Sequence, residues 1–97
     1  MGLTQRRSNR MLQVTQSVHR MNCVETQDPR IAKILRATVA DNWMDSEAYK
    51  VRIRAGAFLQ GYDEYSGWAL VEFWLDDYQP FVDYVNRLIA APDPTDA

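Results

Sequence analysis

Two residues that often take part in catalysis, His19 and Cys23, lie four positions apart, a spacing that places side chains on one face of a helix. A histidine can deprotonate a nearby thiol and so create a nucleophile. No glycine turn for an oxyanion hole and no orienting third group accompanies this pair. The chain has no second histidine or cysteine to complete a soft tetrahedral metal site. We therefore expect neither a Cys–His nucleophile nor a metal ion here.

Paired carboxylates occur at Asp63-Glu64 and at Asp76-Asp77. Acid–base catalysis needs two carboxyl groups in different environments, so that their pKa values separate. The first pair falls in a turn-rich segment and the second at a position suited to a helix cap, where solvation and capping explain both. The chain also lacks a glycine-rich phosphate loop, a nucleophile elbow and a dinucleotide fingerprint. The sequence thus predicts a protein that is not an enzyme and has no cofactor.

Charge and aromatic residues are distributed unevenly along the chain. Residues 1–54 carry ten Lys or Arg against five Asp or Glu, whereas residues 55–97 carry one basic residue against eight acids. Eight of the eleven aromatic residues lie between Tyr62 and Tyr84. An acidic, aromatic surface favours a basic protein partner, because aromatic rings supply contact area and charge steers the encounter.

Length and composition are those of a single small domain. We predict one globular unit over residues 1–91 and a tail over residues 92–97, which holds two prolines and two acids. No apolar run reaches about 18 residues, so we expect no transmembrane helix and no membrane partner. Cys23 is the only cysteine, which excludes an intramolecular disulfide and favours a reducing, cytoplasmic location.

The spacing of apolar residues predicts helices at both ends of the chain. Met11, Val14, Val18 and Met21 form one stripe and predict a helix over Thr4–Met21. Asp28-Pro29 is a strong helix start, and the helix that follows is expected to run to about Trp43. A last helix follows Pro80, with the strongest apolar stripe of the chain: Phe81, Val82, Val85, Leu88 and Ile89.

Between these helices the pattern predicts a β-hairpin. Apolar residues alternate with Lys50, Arg52 and Arg54 over 49–55, which is typical of a half-buried strand. The segment 60–67 is rich in turn residues, and Trp68–Leu75 reads as the second strand. The order helix, helix, hairpin, helix predicts an α+β fold with helices covering the sheet. The alternative is an all-α bundle in which 46–60 and 66–75 are helical.

The second strand is apolar on nearly both faces. Ala69, Val71, Phe73 and Leu75 form one face, whereas Trp68, Leu70 and Trp74 share the other with Glu72, whose charge favours water or a cation nearby. Either helices cover both faces, or the tryptophan face stays open for a partner or a second copy of the chain. Tyr62 and Tyr65 would flank the acids at the tip of the hairpin, a further contact region.

These features predict a small protein-binding module, such as an adaptor, an assembly factor or an inhibitor, that docks on a basic surface of a larger protein. A homodimer is a related possibility, because the two halves of the chain have opposite charge. The expected contact residues are Tyr62, Asp63, Glu64, Tyr65, Trp68, Leu70, Glu72, Trp74, Asp76 and Asp77.

A nucleic-acid-binding module is the alternative from another class. On a strand, Lys50, Arg52 and Arg54 would form a cationic ridge with side chains spaced by roughly 6.6 Å. Such a ridge beside two tryptophans could hold a phosphate backbone while bases stack on the rings. The acidic second half of the chain would repel phosphate, which makes this alternative weaker than a protein partner.

Overall fold

The computed structural model describes residues 11–91, in which three helices pack on a four-stranded antiparallel sheet with the strand order β1-β2-β4-β3. The α+β class predicted from the sequence is therefore confirmed, and the all-α alternative is not the fold. The elements in chain order are β1 Thr15–Gln16, β2 Asn22–Thr26, α1 Pro29–Ala40, α2 Glu47–Ala55, β3 Ala57–Asp63, β4 Trp68–Phe73 and α3 Gln79–Ala90. The predicted tail, 92–97, lies outside the described residues.

The helix predicted over Thr4–Met21 is wrong for residues 11–21, which hold β1 and a turn, and its start lies outside the described residues. The Ser17 hydroxyl accepts hydrogen bonds from the backbone N–H groups of His19 and Met21. Such local side-chain bonds compete with a helix. Val18, on the predicted apolar stripe, is 91% exposed, so no core stabilises a helix here.

Helix α1 begins where its sequence signals place it. The Asp28 side chain accepts hydrogen bonds from the N–H groups of Arg30 and Ile31, and Pro29 occupies the first turn. The buried residues of the helix are Ile31, Ala32, Leu35 and Thr38, and all lie on its core side. The helix ends at Ala40, three residues before the predicted end at Trp43.

The strand predicted over residues 49–55 is also wrong, because Glu47–Ala55 forms α2. The Ser46 hydroxyl caps the helix by accepting from the N–H of Tyr49, and Gly56 ends it in a left-handed conformation with φ of 60°. The buried residues Ala48, Val51 and Ala55 follow helical spacing. A two-turn helix holds few apolar positions, so its residues also match an alternating pattern.

Helix α3 and strand β4 form where the sequence predicted a helix and a strand, whereas β3 lies outside the predicted first strand and takes in part of the predicted turn. Strand β4 lies between β2 and β3, and its residues Ala69, Val71 and Phe73 face the helices in the main core. Helix α3 buries Phe81, Val82, Val85 and Ile89 against that core. Within residues 11–91, no helix has the length and apolarity needed to cross a bilayer.

Candidate functional site

The face of the sheet that points away from the helices, here called the outer face, carries four of the ten residues predicted to contact a partner. Trp68, Leu70 and Glu72 share this face because alternate residues of β4 point the same way, and Trp74 follows directly after the strand, with its ring beside Phe58. Their exposure differs greatly, from fully buried at Glu72 to 72% exposed at Trp74. The outer face is therefore not one continuous open surface.

The middle of the outer face is buried, and at Glu72 the turn that joins β1 and β2 covers it. Leu70 is 9% exposed and Glu72 is 0% exposed. His19, carried by this turn, places its ring Nδ1 2.7 Å from Glu72 Oε2. In this conformation neither Leu70 nor Glu72 can contact a partner, so the predicted contact surface loses its centre.

Trp68 also packs against residues of its own chain. Its indole N–H donates to Glu25 Oε2 over 2.6 Å, across the β2–β4 pair. Its ring lies over Gly61, where an added Cβ would come within 2.2 Å of a ring carbon. Trp68 is half-buried as a result, because only a glycine in β3 leaves room for the ring.

Trp74, in contrast, stays open. Its ring lies beside that of Phe58, and two further partly exposed apolar residues belong to the same junction of α2, β3 and β4: Ile53 and Leu75. The rings of Phe58 and Trp74 lie 5.6 Å apart, and the N–H groups of Trp74 and Leu75 donate to the carbonyls of Gly56 and Ala55. Ile53 and Leu75 are each about half exposed. We call these four residues the Trp74 patch.

Two acids follow the patch directly in the chain. Asp77 accepts from Arg54 at 2.8 Å, and both side chains are more than half exposed. Such an exposed pair contributes little stability but neutralises the charge of Asp77 locally. Asp76 is exposed and forms no ion pair with any residue between 11 and 91. Among the described residues, Asp76 is thus the acid beside the patch that no ion pair neutralises.

The tyrosines of the hairpin lie at the opposite end of β4 from Trp74, roughly 20 Å away for six residues of strand. Tyr65 is 94% exposed, and its N–H donates to Asp63, which organises the turn. Glu64 is exposed beside it. Tyr62 instead packs against the core, with the Arg36 guanidinium 5.0 Å from its ring centre. Only Tyr65, Asp63 and Glu64 form an open tip.

The pair of His19 and Glu72 is a feature that sequence reasoning missed. A single acid within an apolar strand indicated a neighbouring cation or water, and the neighbour is a histidine 53 positions away. Burial raises the pKa of Glu72, but the Ser17 hydroxyl, the His19 hydrogen bond and the His19 charge together hold that pKa below its ordinary value. The carboxylate is therefore ionised at neutral pH beneath one layer of side chains.

Cys23 lies next to Glu72 in the β2–β4 register, and its side chain is buried. Its Sγ lies 3.5 Å from the Thr15 hydroxyl. No group of three or more His, Cys, Asp or Glu in residues 11–91 is arranged to hold a metal ion. The His19–Cys23 spacing does not lie on a helix, because the two residues belong to the turn and strand of a hairpin.

The prediction of a cationic ridge is wrong, because Lys50, Arg52 and Arg54 lie on helix α2 and not on a strand. At helical spacing, residues two positions apart do not line up on one face. The guanidinium of Arg52 donates to the Asp41 carbonyl and lies 5.1 Å from the Tyr49 ring centre. Arg54 is paired with Asp77. The geometry on which the nucleic-acid alternative depended is thus lost.

A comparison of the chain with protein-family models, with curated proteins and with solved structures found no match.

Proposed function

We propose that the protein is a non-catalytic binding module, such as an adaptor, an assembly factor or an inhibitor, and that it docks on a basic surface of a larger protein through the Trp74 patch. The observation that carries this proposal is the exposure of Trp74, at 72%, beside the ring of Phe58. Clustered apolar side chains that remain in water are typical of interaction sites, whereas single exposed apolar residues are ordinary.

The Trp74 patch exposes enough apolar area to anchor a binding partner. An aromatic side chain buries roughly 150–250 Å² on complete burial, so most of that area at Trp74 is free to be covered by a partner. Tryptophan is also among the residues that most often dominate binding energy in interfaces. We therefore expect loss of the Trp74 ring to weaken binding by about 2 kcal/mol, or roughly thirtyfold.

The preference for a basic partner depends on charge. Asp76 borders the patch and forms no ion pair within residues 11–91, so its carboxylate can attract a cation on the partner. The open tip of Asp63, Glu64 and Tyr65 offers a second acidic contact at the far end of β4. A large partner could contact both ends, whereas a small one would contact only the Trp74 patch.

The test is affinity capture from the native host with three immobilised proteins: the unchanged chain, Trp74→Ala and Trp43→Ala. Trp43 is a matched control because it is 68% exposed and lies outside the patch. We expect one protein to be retained by the unchanged chain and by Trp43→Ala, and to be lost with Trp74→Ala. Equal retention by all three proteins would refute the proposed surface.

We also propose that the protein works in the cytoplasm. Cys23 supports this location because its thiol is free and buried, a state that a reducing compartment maintains.

A further inference from the structure

Strand β3 forms an open edge of the sheet, since the order β1-β2-β4-β3 leaves it with β4 as its only partner among residues 11–91. The other edge, β1, is only two residues long. Natural edge strands are usually protected by shortness, by lysine, by proline or by a bulge. Strand β3 has seven residues, without lysine or proline, and its bulge at Gln60 comes only after the first three.

The backbone direction in these first three residues follows from the register. The N–H of Trp74 donates to the carbonyl of Gly56 over 2.9 Å, so this carbonyl points toward β4 and, across the trans peptide bond, the N–H of Ala57 points away from it. Along an extended strand these directions alternate from one residue to the next. Phe58, opposite Glu72, therefore directs its N–H and C=O toward β4, whereas Ala57 and Leu59 direct theirs away from it. Those outward groups have no strand partner in the described part of the chain.

We propose that a second copy of this chain covers this edge, with the two β3 strands antiparallel about a two-fold axis at Phe58. Ala57 of each copy would then pair with Leu59 of the other, which gives four backbone hydrogen bonds. The bulge at Gln60 ends the ladder after these residues. About a two-fold axis only the antiparallel arrangement can form these hydrogen bonds, because a parallel pair would place each N–H opposite the same N–H of the other copy.

The side chains at the edge suit this arrangement. Phe58 of each copy would face its equivalent in a non-hydrogen-bonded pair, in which side chains lie closest together. The half-buried Phe58 ring already lies beside Trp74, so the contact would extend an existing aromatic cluster. A short isolated ladder is weak, and this cluster supplies the apolar area that it lacks.

The charges at the two ends of β3 also fit an antiparallel pair. Strand β3 begins just after Arg54, at the basic end of α2, and it ends at Asp63 and Glu64. Antiparallel pairing directs the basic end of each copy toward the acidic end of the other. Arg54 keeps its contact with Asp77 and Arg36 lies near Tyr62, so the net attraction is modest. A parallel arrangement would bring like charges together.

Such a dimer has a consequence for binding. An axis perpendicular to the sheet keeps both outer faces on the same side, so the two Trp74 patches would lie next to each other. A partner could then contact both patches, which raises its apparent affinity. This consequence depends on the proposed function, whereas the dimer itself does not.

The first test measures the mass of the purified chain by light scattering from micromolar to near-millimolar concentration. We expect a reversible dimer for the unchanged chain and for the control Met44→Lys, which adds the same charge at an exposed position in the α1–α2 connection. Phe58→Lys would set two like charges directly opposite each other, so its dissociation constant should rise at least about tenfold. A strict monomer at every concentration, or a dimer unaffected by Phe58→Lys, would refute the proposal.

The second test uses the unchanged chain alone and so does not depend on the folding of a variant. Amide hydrogen exchange, followed by NMR, should show protection at Ala57 and Leu59 that increases with protein concentration. The amide of Phe58 is the internal reference, because its bond to β4 should protect it at every concentration. Exchange at Ala57 and Leu59 that is fast and independent of concentration would overturn the proposal.

These outcomes are distinct from those for the proposed function. A monomer whose capture of a host protein depends on Trp74 would refute the dimer and keep the binding function. If the chain dimerises but Trp74→Ala captures the same host proteins as the unchanged chain, the binding function is refuted and the dimer is kept.

Discussion

Replacement of His19 by alanine tests how much the stability of the fold depends on the contact between His19 and the carboxylate of Glu72. The Glu72 side chain is fully buried, and its Oε2 lies 2.7 Å from His19 Nδ1. Its Oε1 has no hydrogen-bond partner in the described structure, so His19 is an important partner of this charge. Removal of the imidazole would leave the Ser17 hydroxyl as the remaining group of this turn that stabilises the carboxylate.

The loss of stability expected for His19→Ala depends on how deeply His19 and Glu72 are buried. Loss of one partner from a fully buried ion pair costs about 3–5 kcal/mol. The His19 side chain is 50% exposed, so water can reach the carboxylate once the ring is gone. Solvent screening reduces the cost accordingly. We expect His19→Ala to lower the free energy of unfolding by about 1–2 kcal/mol, or the melting temperature by about 4–10 °C.

The assay is urea unfolding at neutral pH for four proteins: the unchanged chain, His19→Ala, Glu72→Gln and the double variant. The His19 substitution should cost less than about 0.5 kcal/mol when residue 72 is neutral, because no buried charge then remains. Val18→Ala is the control, since Val18 is adjacent and 91% exposed. An equal cost of His19→Ala in both backgrounds would refute the reasoning.

Three further predictions follow from the same geometry. Because the pKa of Glu72 lies below its ordinary 4.5, its contribution to stability is complete above that pH and is lost as the pH falls through the lower folded-state value. Acid titration followed by circular dichroism should therefore show unfolding at a higher pH for His19→Ala than for the unchanged chain, and identical midpoints would contradict this. Asp76→Lys should slow association with a basic partner and flatten its salt dependence, as measured by surface plasmon resonance, whereas Asp45→Lys, an exposed acid in the α1–α2 connection, should have a smaller effect. Gly67→Ala should destabilise the chain by about 2 kcal/mol in urea, because Gly67 has φ of 77° and its new Cβ would lie 2.6 Å from Pro29, whereas Ser66→Ala should stay within about 0.5 kcal/mol.

The elements that the sequence predicted well are those with local signals. Asp28 and Pro29 specify the start of α1 within one turn, and the apolar stripe of α3 has a single helical interpretation. The apolar run of β4 also identified a strand, and the structure places it between β2 and β3. Helix α2 was missed although Ser46 and Gly56 bracket it as cap and stop, because two turns of helix hold too few apolar residues to exclude an alternating pattern.

The sequence by itself determined the α+β class, two of the three helices and a β4 strand that is apolar on both faces. Only the tertiary structure decided how the outer face is divided, with Glu72 and Leu70 covered, Trp68 held by Glu25 and Trp74 open. The physical reason is the separation along the chain of the residues that interact. A helix cap acts over three or four residues, whereas the cover of Glu72 comes from His19, 53 positions earlier, through a turn whose own pattern resembled a helix. Nothing within β4 indicates which of its outward side chains that turn will reach.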